Sequence, residues 1–201
     1  MNILQFKKQM FIPIVTANKQ TSRLPNSYSE VEYIEIGDSN SYISLSGRKF
    51  DSQTSSLILD IEVPSPLPNN TYLFFGNQNP SFVCQYGYRC VYGGVLNSSA
   101  YPSFYSTGRQ QITISGKTWV NTNGKSLDWS DRENFIDFIS TNDFMIGYTS
   151  YSTLIKIYPC KFNGDDIVPC YRKSDNAIGL YDTGLNTFSA GTGTFTKGNN
   201  I

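Results

Sequence analysis

The chain has 201 residues, a formal net charge of zero, 14 tyrosines, 13 phenylalanines and no histidine. Because its 16 basic residues balance its 16 acidic ones, we expect neither nucleic acid nor an anionic membrane surface as a partner. Its apolar runs fall short of the roughly 20 residues that cross a bilayer, which argues against membrane insertion, and the lack of histidine removes the commonest general base of enzymes.

Residues 1–23 form a leading segment that differs from the rest of the chain. The segment mixes apolar residues with Lys and Gln and has the period of neither a strand nor a helix, so it cannot build a core of its own. Pro13 interrupts its apolar run and no convincing cleavage site follows, which argues against a signal peptide. We therefore predict an extended anchoring arm that buries itself in another polypeptide. Its assembly residues are Phe6, Met10, Phe11, Ile12 and Ile14.

From Leu24 onwards, short apolar segments alternate with turn signals in the manner of an all-β sandwich. The predicted strands cover 31–36, 42–45, 56–63, 72–75, 111–115, 117–120, 144–148, 154–158, 179–181 and 193–196. Alternation is clearest in 56–63, where every second residue is apolar, so one face is expected to be core and the other water. Pro64 should end that strand because proline cannot donate a ladder hydrogen bond.

Glu30, directly before the first predicted strand, and Glu32 and Glu35 within it resemble the carboxylate run of jelly-roll glycoside hydrolases. A retaining enzyme of that kind needs two carboxyl groups about 5–5.5 Å apart. In a regular strand Glu30 and Glu32 share a face and Glu35 points to the other, unless a bulge intervenes. Charged residues also protect exposed sheet edges. We favour a solvated edge and predict no catalytic residue, and therefore no enzyme.

The segment 82–105 places aromatic residues among Gly, Ser, Asn and Pro. Exposed rings of this kind suit a protein interface or the stacking of a sugar. The alternative is that the rings cap the core. The candidate glycan or protein contacts are Tyr86, Tyr88, Tyr92, Tyr101, Phe104 and Tyr105.

Asn123-Gly124 predicts a β-hairpin with a type I′ turn, in which both turn residues have positive φ. The strand that ends with Trp119 and Val120 is then expected to face the segment 127–129. Residues 131–140 have room for one short helical turn.

Neither the cysteines nor the acidic residues make a convincing metal site. The cysteines have wide, unequal spacings and no histidine to help them bind zinc, and disulfides need an oxidising compartment for which the sequence gives no address, so we predict buried thiols. They are Cys84, Cys90, Cys160 and Cys170. Asp165 and Asp166, close to Asn163, offer the oxygen ligands of a calcium site, but we favour a polar turn. No metal and no cofactor are predicted.

Two stretches carry a family pattern. The first is 24–35 (LPNSYSEVEYIE) with 40–43 (NSYI), and the second is 155–162 (IKIYPCKF), 167–175 (IVPCYRKSD), 178–182 (IGLYD) and 191–198 (GTGTFTKG). Together they resemble the LamG-like, concanavalin A-like domains of structural proteins in tailed bacteriophages and their gut-bacterial hosts. The likeness brackets residues 24–201, whereas 64–150 matches only as generic strands. The link between Lys161 and Cys170 is shorter than such domains usually carry, so no interaction through that loop is carried over.

The resemblance implies an antiparallel two-sheet jelly-roll sandwich over residues 24–201, preceded by the arm, residues 1–23. It implies a non-catalytic virion structural protein, a capsid decoration or fibre component. Its partners would be capsid, portal, tail or fibre subunits, or further copies of itself in a homo-oligomer. The alternative is a carbohydrate-binding adhesin that recognises host surface glycans, and a glycoside hydrolase ranks third. We expect synthesis in the bacterial host cytoplasm and residence in the virion.

Overall fold

The computed structural model describes residues 23–38, 40–63, 75–76, 83–85, 89–93, 95–97, 107–130, 132–147 and 155–201. These ranges contain eighteen strands and no helix, so in the described part the chain is all-β, as predicted. None of these residues belongs to a long apolar helix of the kind that spans a membrane. The strands are β1 (Tyr28–Glu30), β2 (Ile34–Ile36), β3 (Tyr42–Leu45), β4 (Ser56–Val63), β5 (Phe75–Gly76), β6 (Val83–Gln85), β7 (Arg89–Tyr92), β8 (Val95–Asn97), β9 (Gly108–Ser115), β10 (Thr118–Asn121), β11 (Ser126–Asp128), β12 (Phe144–Gly147), β13 (Lys156–Ile157), β14 (Cys160–Phe162), β15 (Asp165–Arg172), β16 (Ile178–Asp182), β17 (Thr187–Thr192) and β18 (Phe195–Lys197).

Fifteen strands form one antiparallel sheet that folds back on itself. Its order is β11-β10-β9-β4-β14-β15-β16-β17-β3-β12-β5, with β1, β2, β13 and β18 attached beside this path, while β6, β7 and β8 form a separate ribbon. Strands far apart on the path nevertheless touch. The rings of Phe75 in β5 and Trp119 in β10 lie 6.2 Å apart, and those of Phe144 in β12 and Phe162 in β14 lie 5.6 Å apart. The two halves of the sheet therefore enclose a core between them.

Alternation along the strands supplies this core. In β4, which the sequence predicts residue for residue, each second side chain is at most 1 % exposed and the intervening ones are half-buried. The predicted strand 42–45 likewise coincides with β3. Burial of each large aliphatic side chain stabilises the fold by about 1.5–3 kcal/mol. A smaller apolar cluster around Val168 and Cys170 lies under Leu24 and Tyr28, so the segment before β1 covers the other face of β15.

The two ends of the described chain pair with each other. β1 pairs with β15, β2 pairs with β13 and β18, and β3 pairs with β17. The prediction of one continuous strand over 31–36 is wrong, because Val31 forms an isolated bridge with Asn200 and the Glu32 N–H donates to the Asn199 carbonyl at 2.9 Å. Residues 199 and 200 thus pair with the chain at the point where β1 ends and before β2 begins.

The Asn123-Gly124 hairpin forms, but its turn is not of type I′. Trp119 lies opposite Leu127 as predicted, yet only Gly124 of the two turn residues has positive φ. The Gly124 N–H donates to the Asn121 carbonyl at 2.9 Å, which makes a three-residue loop that ends in a left-handed glycine. The predicted helical turn in 131–140 is also absent from the described residues 132–140, which form turns and extended backbone.

A type I′ turn occurs instead at Asn163-Gly164. Phe162 pairs with Asp165, so these two residues alone form the loop, and their φ angles are +51° and +89°. The short link noted in the sequence is therefore a tight hairpin between β14 and β15.

Candidate functional site

The predicted assembly and contact residues lie, with one exception, outside the described residues. These are the arm residues Phe6, Met10, Phe11, Ile12 and Ile14, and the rings Tyr86, Tyr88, Tyr101, Phe104 and Tyr105. The exception is Tyr92, which is 0 % exposed. The prediction that Tyr92 offers a surface to a sugar or a protein is therefore wrong, and the alternative, a ring that belongs to the core, holds for this residue.

Tyr92 lies within a group of buried aromatic rings. Its ring centroid is 5.0 Å from that of Trp119 and 5.3 Å from that of Phe138, both edge to face. Its hydroxyl donates to the Gly116 carbonyl at 2.7 Å, which satisfies the polar end of the side chain inside the core. The prediction failed because it used the composition of the whole segment 82–105, whereas Tyr92 occupies an inward-facing position at the end of strand β7.

The three glutamates of the first predicted strand region have different basic neighbours. Glu30 accepts hydrogen bonds from the Arg23 guanidinium. Glu32 interacts electrostatically with Arg109, and Glu35 lies on β2 beside β13. The strand registers place Glu30 and Glu35 on the same outer face of the sheet, so the expectation that Glu35 points to the other face is not met, because the strand is broken between them.

A row of charged side chains crosses the outer face of four neighbouring strands. Arg109 of β9 lies opposite Glu62 of β4. Glu62 also lies opposite Lys156 of β13, which lies opposite Glu35 of β2. We call Arg109, Glu62, Lys156 and Glu35 the charged row. Directly opposed side chains of a sheet are about 4.5–5.5 Å apart at Cβ. Each charge of the row is therefore attracted to the opposite charge on the next strand.

Two tyrosines pack against the charged row. The Arg109 guanidinium lies 3.6 Å from the ring centroid of Tyr158 and donates two hydrogen bonds of 3.0 Å to Asp60. The Tyr158 hydroxyl donates to Glu62 at 2.6 Å. The half-buried ring of Tyr33 lies 5.6 Å from that of Tyr158. Tyr158 is itself buried beneath the Arg109 guanidinium, so the solvent-facing surface here combines fixed carboxylates, a guanidinium and the partly exposed ring of Tyr33.

Hydrogen bonds keep Glu62 ionised. The bonds from Tyr158 and Lys156 lower the pKa of Glu62, and the bond to Glu62 raises the pKa of Lys156. Burial, together with the same carboxylate, raises the pKa of Tyr158. A carboxyl group that acts as a general acid needs a raised pKa, so Glu62 is tuned in the opposite direction. The charged row is suited to holding a polar ligand by fixed charges and hydrogen bonds.

Sequence reasoning missed the charged row although it placed one member, Glu62, and one neighbour, Asp60, correctly. The alternation in β4 predicts that Asp60 and Glu62 face water, and both side chains do line the outer surface. The four strands of the row come from distant parts of the chain, so only their pairing reveals the site. Arg109 itself lies before the predicted strand 111–115, and it continues the outward positions of that strand because β9 begins three residues earlier than predicted, at Gly108.

A second ion-pair network lies inside the protein. Arg48 donates to Asp182 and to Asp165, each at 2.5 Å, and the Asp182 side chain is only 4 % exposed. Burial opposes the ionisation of Asp182, but the bonds from Arg48 and from the Leu185 N–H outweigh it and lower the pKa of Asp182. This network joins three segments at the edge of the core, with Arg48 and Asp182 buried and Asp165 at its outer end.

The acidic pair Asp165-Asp166 is divided between basic partners. Asp165 pairs with Arg48, and Asp166 accepts a hydrogen bond from Lys161 at 2.8 Å. Asn163 accepts a backbone N–H from β4 at 2.8 Å. These hydrogen bonds and ion pairs therefore hold the β14–β15 hairpin in place. Within the described ranges, no three His, Cys, Asp or Glu side chains form a group that would hold a metal ion.

Two of the four cysteines are buried free thiols, as predicted. They are Cys160 and Cys170, and burial raises the pKa of each to about 12. A thiol with so high a pKa carries almost no thiolate at neutral pH and is a poor nucleophile.

Comparisons of the chain with protein-family models, with curated proteins and with solved structures give no match. The fold and the charged row define an all-β protein with a large antiparallel sheet and a polar, aromatic-lined outer surface.

Proposed function

We propose that the protein is a non-catalytic structural component of a tailed-phage virion, in which residues 24–201 form a concanavalin A-like jelly-roll sandwich anchored by the arm, residues 1–23. The domain would be displayed outward as a capsid decoration or fibre component. Its partners would be other virion proteins or further copies of itself.

Support comes from the pairing of the two stretches that resemble the phage family. Residues 24–45 supply β1, β2 and β3, residues 155–201 supply their partners β13, β15, β17 and β18, and Val31 bridges Asn200. Stretches that match one family pattern at opposite ends of the domain are thus neighbours in space. A sheet that folds back on itself around a core is also the arrangement from which a jelly roll is built.

The position and composition of the arm support anchoring. Arg23, its last residue, bonds with Glu30 and lies 3.7 Å from Asp166, so the arm joins the domain beside β15. Residues 1–23 contain basic and apolar side chains and no acidic ones. Each fully buried apolar arm residue would contribute about 1.5–3 kcal/mol to attachment, offset by the cost of ordering the arm.

Deletion of residues 2–22 tests the anchor. We expect the shortened protein to fold but not to enter particles assembled in its presence, as measured by mass spectrometry of purified virions. Replacing Phe6, Phe11 and Ile14 together by serine should have the same effect, whereas the matched replacement of Gln5 and Gln9 should not. Undiminished incorporation of the shortened protein would refute the anchor.

The charged row favours a second candidate, a carbohydrate-binding adhesin. The Arg109 side chain is 54 % exposed and the Glu62 side chain 33 %, so both are accessible to sugar hydroxyls. The half-buried ring of Tyr33 offers a partly exposed apolar face beside them. Sugar recognition combines these elements, namely a ring for stacking and charged groups for hydrogen bonds.

A glycan array distinguishes the second candidate from a purely structural role. Tyr33→Ala and Tyr88→Ala should each abolish binding if their rings stack on a sugar, and Leu185→Ala, at an exposed position outside the row, should preserve it. Tyr92→Ala is unsuitable as a probe because it opens the core. A folded wild-type protein that binds no glycan on the array would exclude the adhesin.

A further inference from the structure

The β6–β7 ribbon places Cys84 directly opposite Cys90. The flanking pairs Val83 with Val91 and Gln85 with Arg89 define the same register. Opposed residues of an antiparallel pair have Cα atoms about 4.5–5.5 Å apart. This separation lies inside the range of about 4.4–6.8 Å across which disulfides form. The backbone therefore already has the spacing that such a bond requires.

We propose that Cys84 and Cys90 form an intramolecular disulfide that closes the base of the β6–β7 hairpin. The segment between the two strands is Tyr86-Gly87-Tyr88, which carries two of the predicted contact rings. A crosslink at its base restricts the conformations of this segment before any partner arrives, and it lowers the entropy lost on binding. That consequence rests on the proposed binding function, whereas the bond itself does not.

The other two cysteines lack such an arrangement. Cys160 lies opposite Ile167 and Cys170 lies opposite Gly179, and both thiols are buried in separate apolar clusters. Attack on a disulfide needs a thiolate that the oxidant can reach. Burial of Cys160 and Cys170 disfavours the thiolate and keeps the oxidant away from both sulfur atoms. Oxidation should therefore be confined to the hairpin.

A small-molecule disulfide such as oxidised glutathione is a sufficient oxidant. The thiolate of one hairpin cysteine attacks a glutathione sulfur, forms a mixed disulfide and releases one glutathione. The second cysteine then attacks the protein sulfur of that mixed disulfide and expels the second glutathione. The protein loses two electrons and two protons, and oxidised glutathione is reduced to two thiols.

Trypsin provides a direct test because Arg89 lies between the two cysteines. Cleavage at Lys and Arg leaves each cysteine on its own peptide, namely 50–89, 90–109, 157–161 and 162–172. After incubation of the full chain with oxidised glutathione and blocking of free thiols, we expect 50–89 and 90–109 to remain joined until a reductant is added. The peptides with Cys160 and Cys170 should carry the blocking group.

Single variants provide the control. Cys84→Ser and Cys90→Ser should each leave the remaining hairpin cysteine as a stable glutathione adduct, because no second thiol is opposite to expel it. Separate peptides 50–89 and 90–109 in the oxidised wild type, or either of them joined to a peptide that contains Cys160 or Cys170, would overturn the inference. These results are independent of particle incorporation and of glycan binding, so failure of the proposed function would leave them unchanged.

Discussion

A single side chain can belong to the core of this protein although the residues around it in the sequence indicate an exposed turn. Tyr92 sits in a segment rich in turn residues, yet its ring is buried and its hydroxyl bonds to the Gly116 carbonyl. The residue therefore belongs to the core and stabilises it through both packing and a hydrogen bond.

Tyr92→Ala should lower the free energy of unfolding by about 3–5 kcal/mol, because it removes a large buried ring. Tyr92→Phe should cost about 1 kcal/mol, since it loses only the hydrogen bond to Gly116. Val120→Ala, at a position that is 45 % exposed, is the control and should change little. Urea unfolding followed by tryptophan fluorescence measures all three. Equal stability of Tyr92→Ala and Val120→Ala would contradict the buried position.

The buried Arg48–Asp182 pair makes stability depend on pH in a defined direction. Asp182 has a pKa lowered from its ordinary value of 3.8, so the folded state binds fewer protons than the unfolded state at low pH. The contribution of the pair is therefore complete above about pH 4 and is lost as the pH falls through the lowered pKa.

Asp182→Asn should destabilise the protein by about 3 kcal/mol at pH 7, because it leaves a buried guanidinium with one partner fewer. The difference from the wild type should shrink below about pH 4, because the Asp182 carboxyl is then protonated in the unfolded state and, at still lower pH, in the folded state. Asp175→Asn, in an exposed pair with Arg172, is the matched control and should change little. Urea unfolding at several pH values is the measurement, and a difference that stays constant down to pH 2 would refute the assignment.

At the level of elements, the sequence predicts those strands whose buried face depends only on the alternation of apolar residues within the strand. β3 and β4 follow the sequence residue for residue because apolar alternation alone determines which face is buried. The break between β1 and β2 depends on Asn199 and Asn200, and no property of residues 31–36 reveals it. The charged row was unpredictable for the same reason, because its members meet only after four strands have paired.

The two Asn-Gly pairs show how register decides turn type. Both pairs favour positive φ, but the hairpin at 121–125 closes with a three-residue loop and leaves Asn123 outside the left-handed region. The hairpin at 162–165 closes with a two-residue loop and uses both left-handed positions. Strand pairing fixes the loop length, and the loop length then selects the turn.

Gly164→Ala isolates this backbone requirement. A Cβ at Gly164 would meet nothing within 4 Å, so any loss of stability comes from the φ of +89° and not from a clash. We expect a loss of about 1–2 kcal/mol, the cost of a left-handed conformation for an L-residue. Ser174→Ala, in the exposed turn after β15, is the control. Thermal unfolding compares the two, and an unchanged Gly164→Ala would mean that the loop adopts another conformation.

For the whole molecule, we expect the core of the described domain to form without the arm. Strands from residues 28–197 fill it, and the short segment before β1 covers the outer face of β15. The resemblance to phage jelly-roll domains predicted an all-β domain after residue 23, and the described part is all-β. It said little of residues 64–150, which match only as generic strands.

Deletion of residues 2–22 should therefore change the melting temperature by less than about 2 °C, which corresponds to at most about 1 kcal/mol for a domain of this size. Differential scanning calorimetry of the full and shortened chains measures the effect. A large drop would show that the arm packs within its own subunit, and the case for attachment to a neighbour would fail with it.

The pairing of the first strands with the last also constrains how the protein is made. A ribosome releases β1, β2 and β3 long before it has synthesised β13, β15, β17 and β18, so the edges of the leading strands that these partners cover stay unpaired until residues 155–201 have emerged. Nascent chains that stop before residue 155 lack every one of these partners. They should be bound by chaperones or aggregate, so the fate of the nascent chain depends on the synthesis of residues 155–201.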